Sequence, residues 1–307
     1  MKTAIPIGPS ALTGPRIAPW IAGRLAAYAE LGKPRIAAMA LVTVGTGFVL
    51  GARGGSDPTT LLLTLIGSGL VACGSSAWNQ YLERDRDARM RRTAGRPLPS
   101  GRISPAEARA VGTALTVAGL AILAAGANGL SALVAFATFF LYVFVYTPLK
   151  PITTLNTLVG AIPGALPPVI GWAAATGRLG VEAWSLFLVV FLWQFPHFLA
   201  IAWLHRADYA RGGHVMLPAA DPTGALVGRQ AVGYALALVP AGLLPAAIGL
   251  AGPWYFAGAL ALGLVYLASA ARFRADVTDG SARRLLRTSI LYLPAVLLLL
   301  LLNPLPA

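Results

Sequence analysis

At the centre of residues 183–204 the chain reads Leu186-Phe187-Leu188-Val189-Val190-Phe191-Leu192-Trp193-Gln194-Phe195-Pro196-His197-Phe198-Leu199, and the whole stretch carries no Asp, Glu, Lys or Arg. About 20 such residues wound as a helix cross the hydrocarbon core of a bilayer. Lipid offers no partner to open backbone groups, which leaves helices or closed barrels as spanning forms. The alternation of barrel strands is absent, so the segment predicts a transmembrane helix. Working outward, further apolar segments fall at about 35–52, 60–80, 106–126, 129–148, 155–175, 228–250, 253–271 and 286–302. The expected fold is an all-α polytopic membrane protein with about nine transmembrane helices.

Composition agrees. Of 307 residues, 57% are hydrophobic and 11% charged, where a soluble domain averages about 25% charged. So little charge does not cover a soluble surface, and a chain this apolar is not disordered. The single cysteine, Cys73, excludes an internal disulfide framework and a Cys-rich metal site. The net charge of +13 resembles a nucleic-acid signal, but its distribution marks topology. On the nine-span map every Lys and Arg except Arg53 and Arg178 falls on one side, which the positive-inside rule makes cytoplasmic. The N-terminus is then expected in the cytoplasm and the C-terminus outside, with no nucleic-acid partner. Prolines at 6, 9, 15 and 19 break any signal-peptide core, so none is expected. Trp20 to Leu31 suits a short interfacial helix anchored by Trp20 and Tyr28. Residues 1–34 form a cytoplasmic or interfacial segment on this map, 35–302 one transmembrane unit, and 303–307 a tail. Two long polar stretches, 82–104 and 205–228, lie on the cytoplasmic side, where function concentrates in loops. Their spacing hints at duplicated bundles, without a residue-level repeat.

At the end of the second span, Asn79, Glu83 and Asp87 are spaced i, i+4, i+8 in Trp78-Asn79-Gln80-Tyr81-Leu82-Glu83-Arg84-Asp85-Arg86-Asp87. A helix sets them on one face with neighbouring side chains about 5–6 Å apart. Two carboxylates at that spacing repel, and a divalent cation relieves the repulsion; hard oxygen ligands suit Mg²⁺, which also binds phosphate oxygens. The alternative is a solvated helix end with Glu83 and Asp87 paired to Arg84, Arg86 and Arg91; Asp85 points to another face. The arginines of Met90-Arg91-Arg92-Thr93-Ala94-Gly95-Arg96-Pro97-Leu98-Pro99-Ser100-Gly101 suit a diphosphate, since guanidinium groups bind phosphates bidentately, or are a positive-inside cluster.

The string Asn79-x₃-Glu83-x₃-Asp87-x₂-Met90-x-Arg92-Thr93-x₂-Arg96-Pro97-Leu98-Pro99-x-Gly101 resembles the first motif of the UbiA superfamily of intramembrane prenyltransferases. Further matches are Lys33-Pro34-Arg35-Ile36, Tyr146-Thr147-x₂-Lys150, Gly164-Ala165-x-Pro167-Pro168-Val169-Ile170-Gly171-Trp172, Trp193-Gln194-x-Pro196-His197-Phe198 and Asp208-Tyr209-x₂-Gly212-Gly213-x₂-Met216-Leu217-Pro218. The resemblance covers roughly residues 30 to 300, and within the superfamily the chain is similar to the heme-farnesylating branch.

The resemblance implies a helical bundle with a cytoplasm-facing cavity, in a bacterial inner membrane. The implied reaction moves a farnesyl group from farnesyl diphosphate to a vinyl group of heme b, giving heme O for terminal oxidases. A downstream heme A synthase is an implied partner. Asn79, Glu83, Asp87 and Asp208 are the implied Mg²⁺ and catalytic residues, and Lys33, Arg35, Arg92, Arg96, Lys150 and Arg206 the diphosphate-binding ones. His197, Trp193 and Tyr209 are candidates for the heme. Superfamily members carry two acids in the second motif, whereas here Asp208 is followed by Gly212. His197 is either an axial ligand or the partner of a carbonyl opened by Pro196; His205 and His214 read as solvated loop residues. Two alternatives remain open. One is a sister prenyltransferase acting on a quinone or chlorin precursor. The other is a transporter built on broken helices, whose charges belong near mid-membrane.

Overall fold

The computed structural model describes residues 17–305 except 54 and 56, with side chains from Ile21 onward. Lys2, Pro6, Pro9, Pro15, Arg16 and the Trp20 side chain lie outside what is described.

Helix α1 (Ile17–Leu31) precedes nine helices long and apolar enough to cross a membrane among the described residues. These are α2 (Pro34–Ala52), α3 (Pro58–Asp87), α4 (Pro105–Gly126), α5 (Gly129–Leu149), α6 (Asn156–Thr176), α7 (Val181–Leu204), α8 (Ala225–Ala247), α9 (Pro253–Ala275) and α10 (Asp279–Leu302). A short helix, Arg206–Arg211, follows α7. The protein is an integral membrane protein. Large apolar side chains such as Val117, Leu133, Leu264, Leu291 and Leu298 point outward, which only lipid makes favourable.

Local chemistry sets the helix ends. Asp57 accepts from the backbone N–H of Thr59 and Thr60, and Ser104 forms a capping box with Glu107; in both helices proline opens the first turn. Helices outrun the apolar segments that mark them, α3 and α10 the furthest. α3 continues to Asp87 and α10 begins at Asp279. Glu and Arg are good helix formers, so the backbone ladder carries on after hydropathy has fallen. α6 breaks at Leu166, where Pro167 brings no N–H to continue it.

Helix α3 lies along α4, and α2 crosses the second half of α6. Both contacts are backbone-close. A Cβ built on Gly119 would stand 2.5 Å from the Gly67 carbonyl oxygen, and one on Gly171 would stand 1.9 Å from that of Val44. Small residues permit such approaches where lipid removes the hydrophobic drive between helices. Gly171→Leu is therefore expected to force α2 from α6 and cost about 3 kcal/mol or more, read as a lower thermal midpoint in detergent. The helices α2 to α6 form one packed group and α7 to α10 another, joined through α6 against α7 and again where α10 meets α2. α6 is the most enclosed span, 67% buried along its apolar window. At the end carrying the basic loops, α1 packs Ala27 and Leu31 against Ala77, Leu98, Ile103 and Ala108. Arg102 bridges to Glu30 at 2.7 Å, and Arg24 pairs with Glu107, so α1 and the 88–104 turns are clamped together.

Candidate functional site

The last three turns of α3 place Asn79, Glu83 and Asp87 on one face, 1%, 4% and 0% exposed. Asp85, two residues from both Glu83 and Asp87, has a side chain 78% exposed and lies near Arg84. Each of the three residues has one oxygen facing a cation delivered from another segment. Lys150, just after α5, sets Nζ 2.6 Å from Glu83 Oε1. Arg96 donates from Nη1 to Asp87 Oδ2 at 2.6 Å. Lys33 donates from Nζ to Asn79 Oδ1 at 2.8 Å, while Asn79 Nδ2 donates to Thr147 Oγ1 at 3.1 Å. The partners expected for a solvated helix end, Arg84, Arg86 and Arg91, are not those the two carboxylates use.

Lys33 reaches the cluster from an unusual backbone. With φ 50° and ψ 63° it occupies the left-handed region, which costs a non-glycine residue about 1–3 kcal/mol and persists where surroundings enforce it. The elbow between α1 and α2 is enforced by Gln80, whose Nε2 donates to the Leu31 carbonyl at 2.8 Å. Adjacent residues of α3 thus hold the elbow's backbone and its lysine head. Burial, with Arg96 nearby, pulls the Lys33 pKa down to about 7. Burial also opposes the charge of Lys150, but the Glu83 carboxylate, together with Tyr146 and Tyr142, outweighs it and holds the lysine above its usual range.

The 205–228 stretch closes over this face. The Arg91 backbone N–H donates to Asp208 Oδ1 at 3.3 Å, and Arg211 pairs with the same oxygen. Arg92 lies over the Tyr209 ring at 5.9 Å. The backbone N–H of Val215 donates to the Lys150 carbonyl at 2.7 Å, and Asn156 Nδ2 donates to the Val215 carbonyl at 2.8 Å.

Against this geometry, the family model described as the UbiA prenyltransferase family matches residues 40–293. The chain belongs to that family. It is 49% identical over 285 residues to a protoheme IX farnesyltransferase of Solibacter usitatus, covering 90% of this chain and 98% of the relative. A solved digeranylgeranylglyceryl phosphate synthase shares its fold with a TM-score of 0.77 at 18% identity, over 91% of this chain and 98% of that one. A UbiA homologue from Archaeoglobus fulgidus, solved with GPP and Mg²⁺, shares it at 0.65 and 16% identity, over 89% and 99%.

In this UbiA-family member the expected residues do not all meet. No three of His, Cys, Asp and Glu are grouped to hold a metal ion among the described residues. Glu83, Asp87 and Asp208 are instead turned to cations. Asp87 Oδ1 is nevertheless buried without a hydrogen-bond partner, and the donor set is all hard oxygen, which fits Mg²⁺. Arg206, expected among the diphosphate-binding residues, donates to the Trp203 carbonyl and pairs with Asp279 at 2.9 Å. Arg35 is exposed in the first turn of α2.

The heme candidates separate. Tyr209 stands by Arg92 and His214, whereas Trp193 and His197 stack at 4.9 Å and turn to α10. Trp193 Nε1 donates to the Ser289 carbonyl at 2.7 Å, and His197 Nδ1 lies 2.7 Å from Ser289 Oγ. His197 therefore bonds a hydroxyl rather than a carbonyl freed by Pro196. His214, expected in solvent, is 4% exposed. Its burial follows from tertiary packing, and nothing in the local pattern Gly212-Gly213-His214 signals it. A cavity of about 450 Å³ lined by Val49, Leu50, Arg53, Leu250, Leu301, Pro304 and Leu305 contains none of the candidate residues.

Proposed function

We propose that this protein transfers the farnesyl group of farnesyl diphosphate to a vinyl carbon of heme b, releasing diphosphate and forming heme O. The observation that carries the reading is the buried Asn79–Glu83–Asp87 face with a cation on each member. A diphosphate has the charge and oxygen geometry to draw Lys33, Lys150 and Arg96 onto itself. Mg²⁺, held by Asn79, Glu83, Asp87 and Asp208, would supply Lewis-acid neutralisation of the diphosphate. The three cations oppose the charge that grows on the leaving oxygen as the allylic C–O bond breaks. The vinyl carbon then bonds to farnesyl C1, and water adds to the new cation and loses one proton, giving the hydroxyethylfarnesyl group.

The acceptor assignment leans on the Solibacter relative and on Trp193 and His197 of α7. Ser289 Oγ donates to the Leu286 carbonyl at 2.6 Å, so it accepts from His197 Nδ1–H. That leaves a lone pair on Nε2, the form of imidazole that ligates iron. The basic end of the bundle faces the cytoplasm in this reading, in a bacterial inner membrane, with 35–302 as the transferase unit. A transporter would gather its charges near mid-span, and here they collect at one end of α3.

Purified protein with Mg²⁺, farnesyl diphosphate and equal amounts of reduced heme b and 4-hydroxybenzoate is expected to yield the hydroxyethylfarnesyl heme alone by mass analysis. His197→Ala should perturb the heme Soret band while farnesyl diphosphate binding holds. Prenylated hydroxybenzoate as the main product would overturn the heme assignment, and absence of diphosphate release would overturn the transferase.

A further inference from the structure

His214 is held too firmly, and left too incomplete, for a loop residue with only a packing role. Its backbone is bonded on both sides: the N–H donates to the Tyr209 carbonyl at 2.9 Å, and its own carbonyl accepts from Met216 at 3.1 Å. The next residue, Val215, is tied to Lys150 and Asn156. The ring stands edge-on to Tyr209 at 5.9 Å. Gly212 backs it so closely that an added Cβ would meet His214 Cδ2 at 3.2 Å and Met90 Sδ at 2.8 Å. The imidazole therefore has one place to be. In that place Nδ1 is wholly buried and has no hydrogen-bond partner. Leaving a buried polar atom unpaired is unfavourable, and a native structure keeps few of them.

The charges that act on the ring include those of the candidate site, Glu83, Lys150 and Arg92, together with Arg86. Burial above all brings the His214 pKa down to about 4, against the Glu83 carboxylate and with Lys150, Arg86 and Arg92, so the ring is neutral at ordinary pH. Three of the four charges acting on this unpartnered group are cations, and cations gathered at one place suit an anion. The oxygens of an ionised diphosphate only accept, so the proton sits on Nδ1. Asp208, the acidic residue of the neighbouring short helix, is already held by Arg211 and the Arg91 N–H.

We propose that His214 Nδ1–H donates a hydrogen bond to a diphosphate oxygen of the prenyl donor, beside Lys150. The assignment rests on the farnesyl diphosphate reading above and adds to it a neutral donor that the sequence does not reveal.

Three substitutions separate this role from packing. Asparagine carries an N–H close to where Nδ1 stands, glutamine carries one close to Nε2, and phenylalanine fills the space with no donor. The probe is farnesyl thiolodiphosphate with Mg²⁺, titrated calorimetrically into detergent-solubilised full-length protein, with thermal midpoints and heme Soret titrations alongside. His214→Phe and His214→Gln are expected to bind the probe about 10- to 30-fold more weakly, the loss of one hydrogen bond to a charged group. His214→Asn should bind within about threefold of wild type on the same grounds. Heme titration should be unchanged in all three. Wild type that fails to bind the probe would sink the diphosphate reading and this assignment with it. Wild type that binds, with His214→Phe binding equally well, would overturn the His214 role alone. Should the phenylalanine variant not fold, glutamine matching or exceeding asparagine would still overturn it.

Discussion

Replacing Asp87 or Glu83 with alanine is expected to slow farnesyl transfer about 1000-fold, while Asp85→Asn leaves it within about twofold. All three residues lie on the same stretch of α3 with similar intrinsic chemistry. Position on the helix separates them: Asp87 is fully buried and held by Arg96, Glu83 faces Lys150, and Asp85 is turned to solvent. A hydrated carboxylate gains little by binding a cation, whereas one taken out of water is compensated only by its partners. If the reaction needs a charge-neutralised diphosphate, the loss falls on the leaving group in the transition state and appears in kcat. Single-turnover product formation with excess enzyme reads this directly. Equal losses at Asp85 and Asp87, or undiminished turnover in EDTA, would break the link between the buried face and the chemistry.

The same helix shows what a linear pattern reveals. The nine spans are legible because lipid imposes a length and an apolarity that little else in a sequence imitates. The one-face placement of Asn79, Glu83 and Asp87 is legible because it depends only on helical period. That α3 runs on to Asp87 is not, since hydropathy ends where the interface begins while the hydrogen-bond ladder continues. Motif resemblance draws Lys33, Arg96 and Lys150 towards the site, but only the fold pairs each with its oxygen. Lys33 needs a left-handed elbow held by Gln80, a residue whose side chain looks like any polar helix position.

Neighbourhood in sequence also misleads. Arg206 stands two residues from Asp208 and carries the right charge for a phosphate. Its position after α7 instead gives it the Trp203 carbonyl, the Trp203 ring at 4.6 Å and Asp279 at the start of α10. His214 errs the other way. A histidine after two glycines in a polar loop suggests water, yet hydrogen bonds from the loop to Lys150 and Asn156 fold it inward. Side chains whose burial depends on contacts far along the chain are the ones a local pattern misplaces.

Arg96→Leu should make the metal chemistry visible without any turnover. Arg96 is the hydrogen-bonded cation on Asp87, whose side chain is 0% exposed against 21% for the arginine. Removing one partner of a buried pair leaves an uncompensated charge and costs about 3–5 kcal/mol; the partial exposure of Arg96 places the cost near the lower figure. In metal-free detergent solution the thermal midpoint should therefore fall by about 5–10 °C. Mg²⁺ should then act differently on the two proteins. In wild type it must compete with Arg96 and Lys150 for the carboxylates, so millimolar Mg²⁺ alone shifts the midpoint little. In Arg96→Leu the Asp87 carboxylate has lost its competitor, and its unpartnered Oδ1 is already buried beside it. A ligand at a hundred times its Kd stabilises by about 2.7 kcal/mol, enough to return most of the lost midpoint. Adding Asp87→Ala to Arg96→Leu removes both the buried charge and the ligand, so that double variant should be more stable than Arg96→Leu without metal and insensitive to Mg²⁺. A midpoint in Arg96→Leu that moves with Mg²⁺ no more than wild type would take Asp87 out of the metal-binding set, because the competition that masks it in wild type would already be gone.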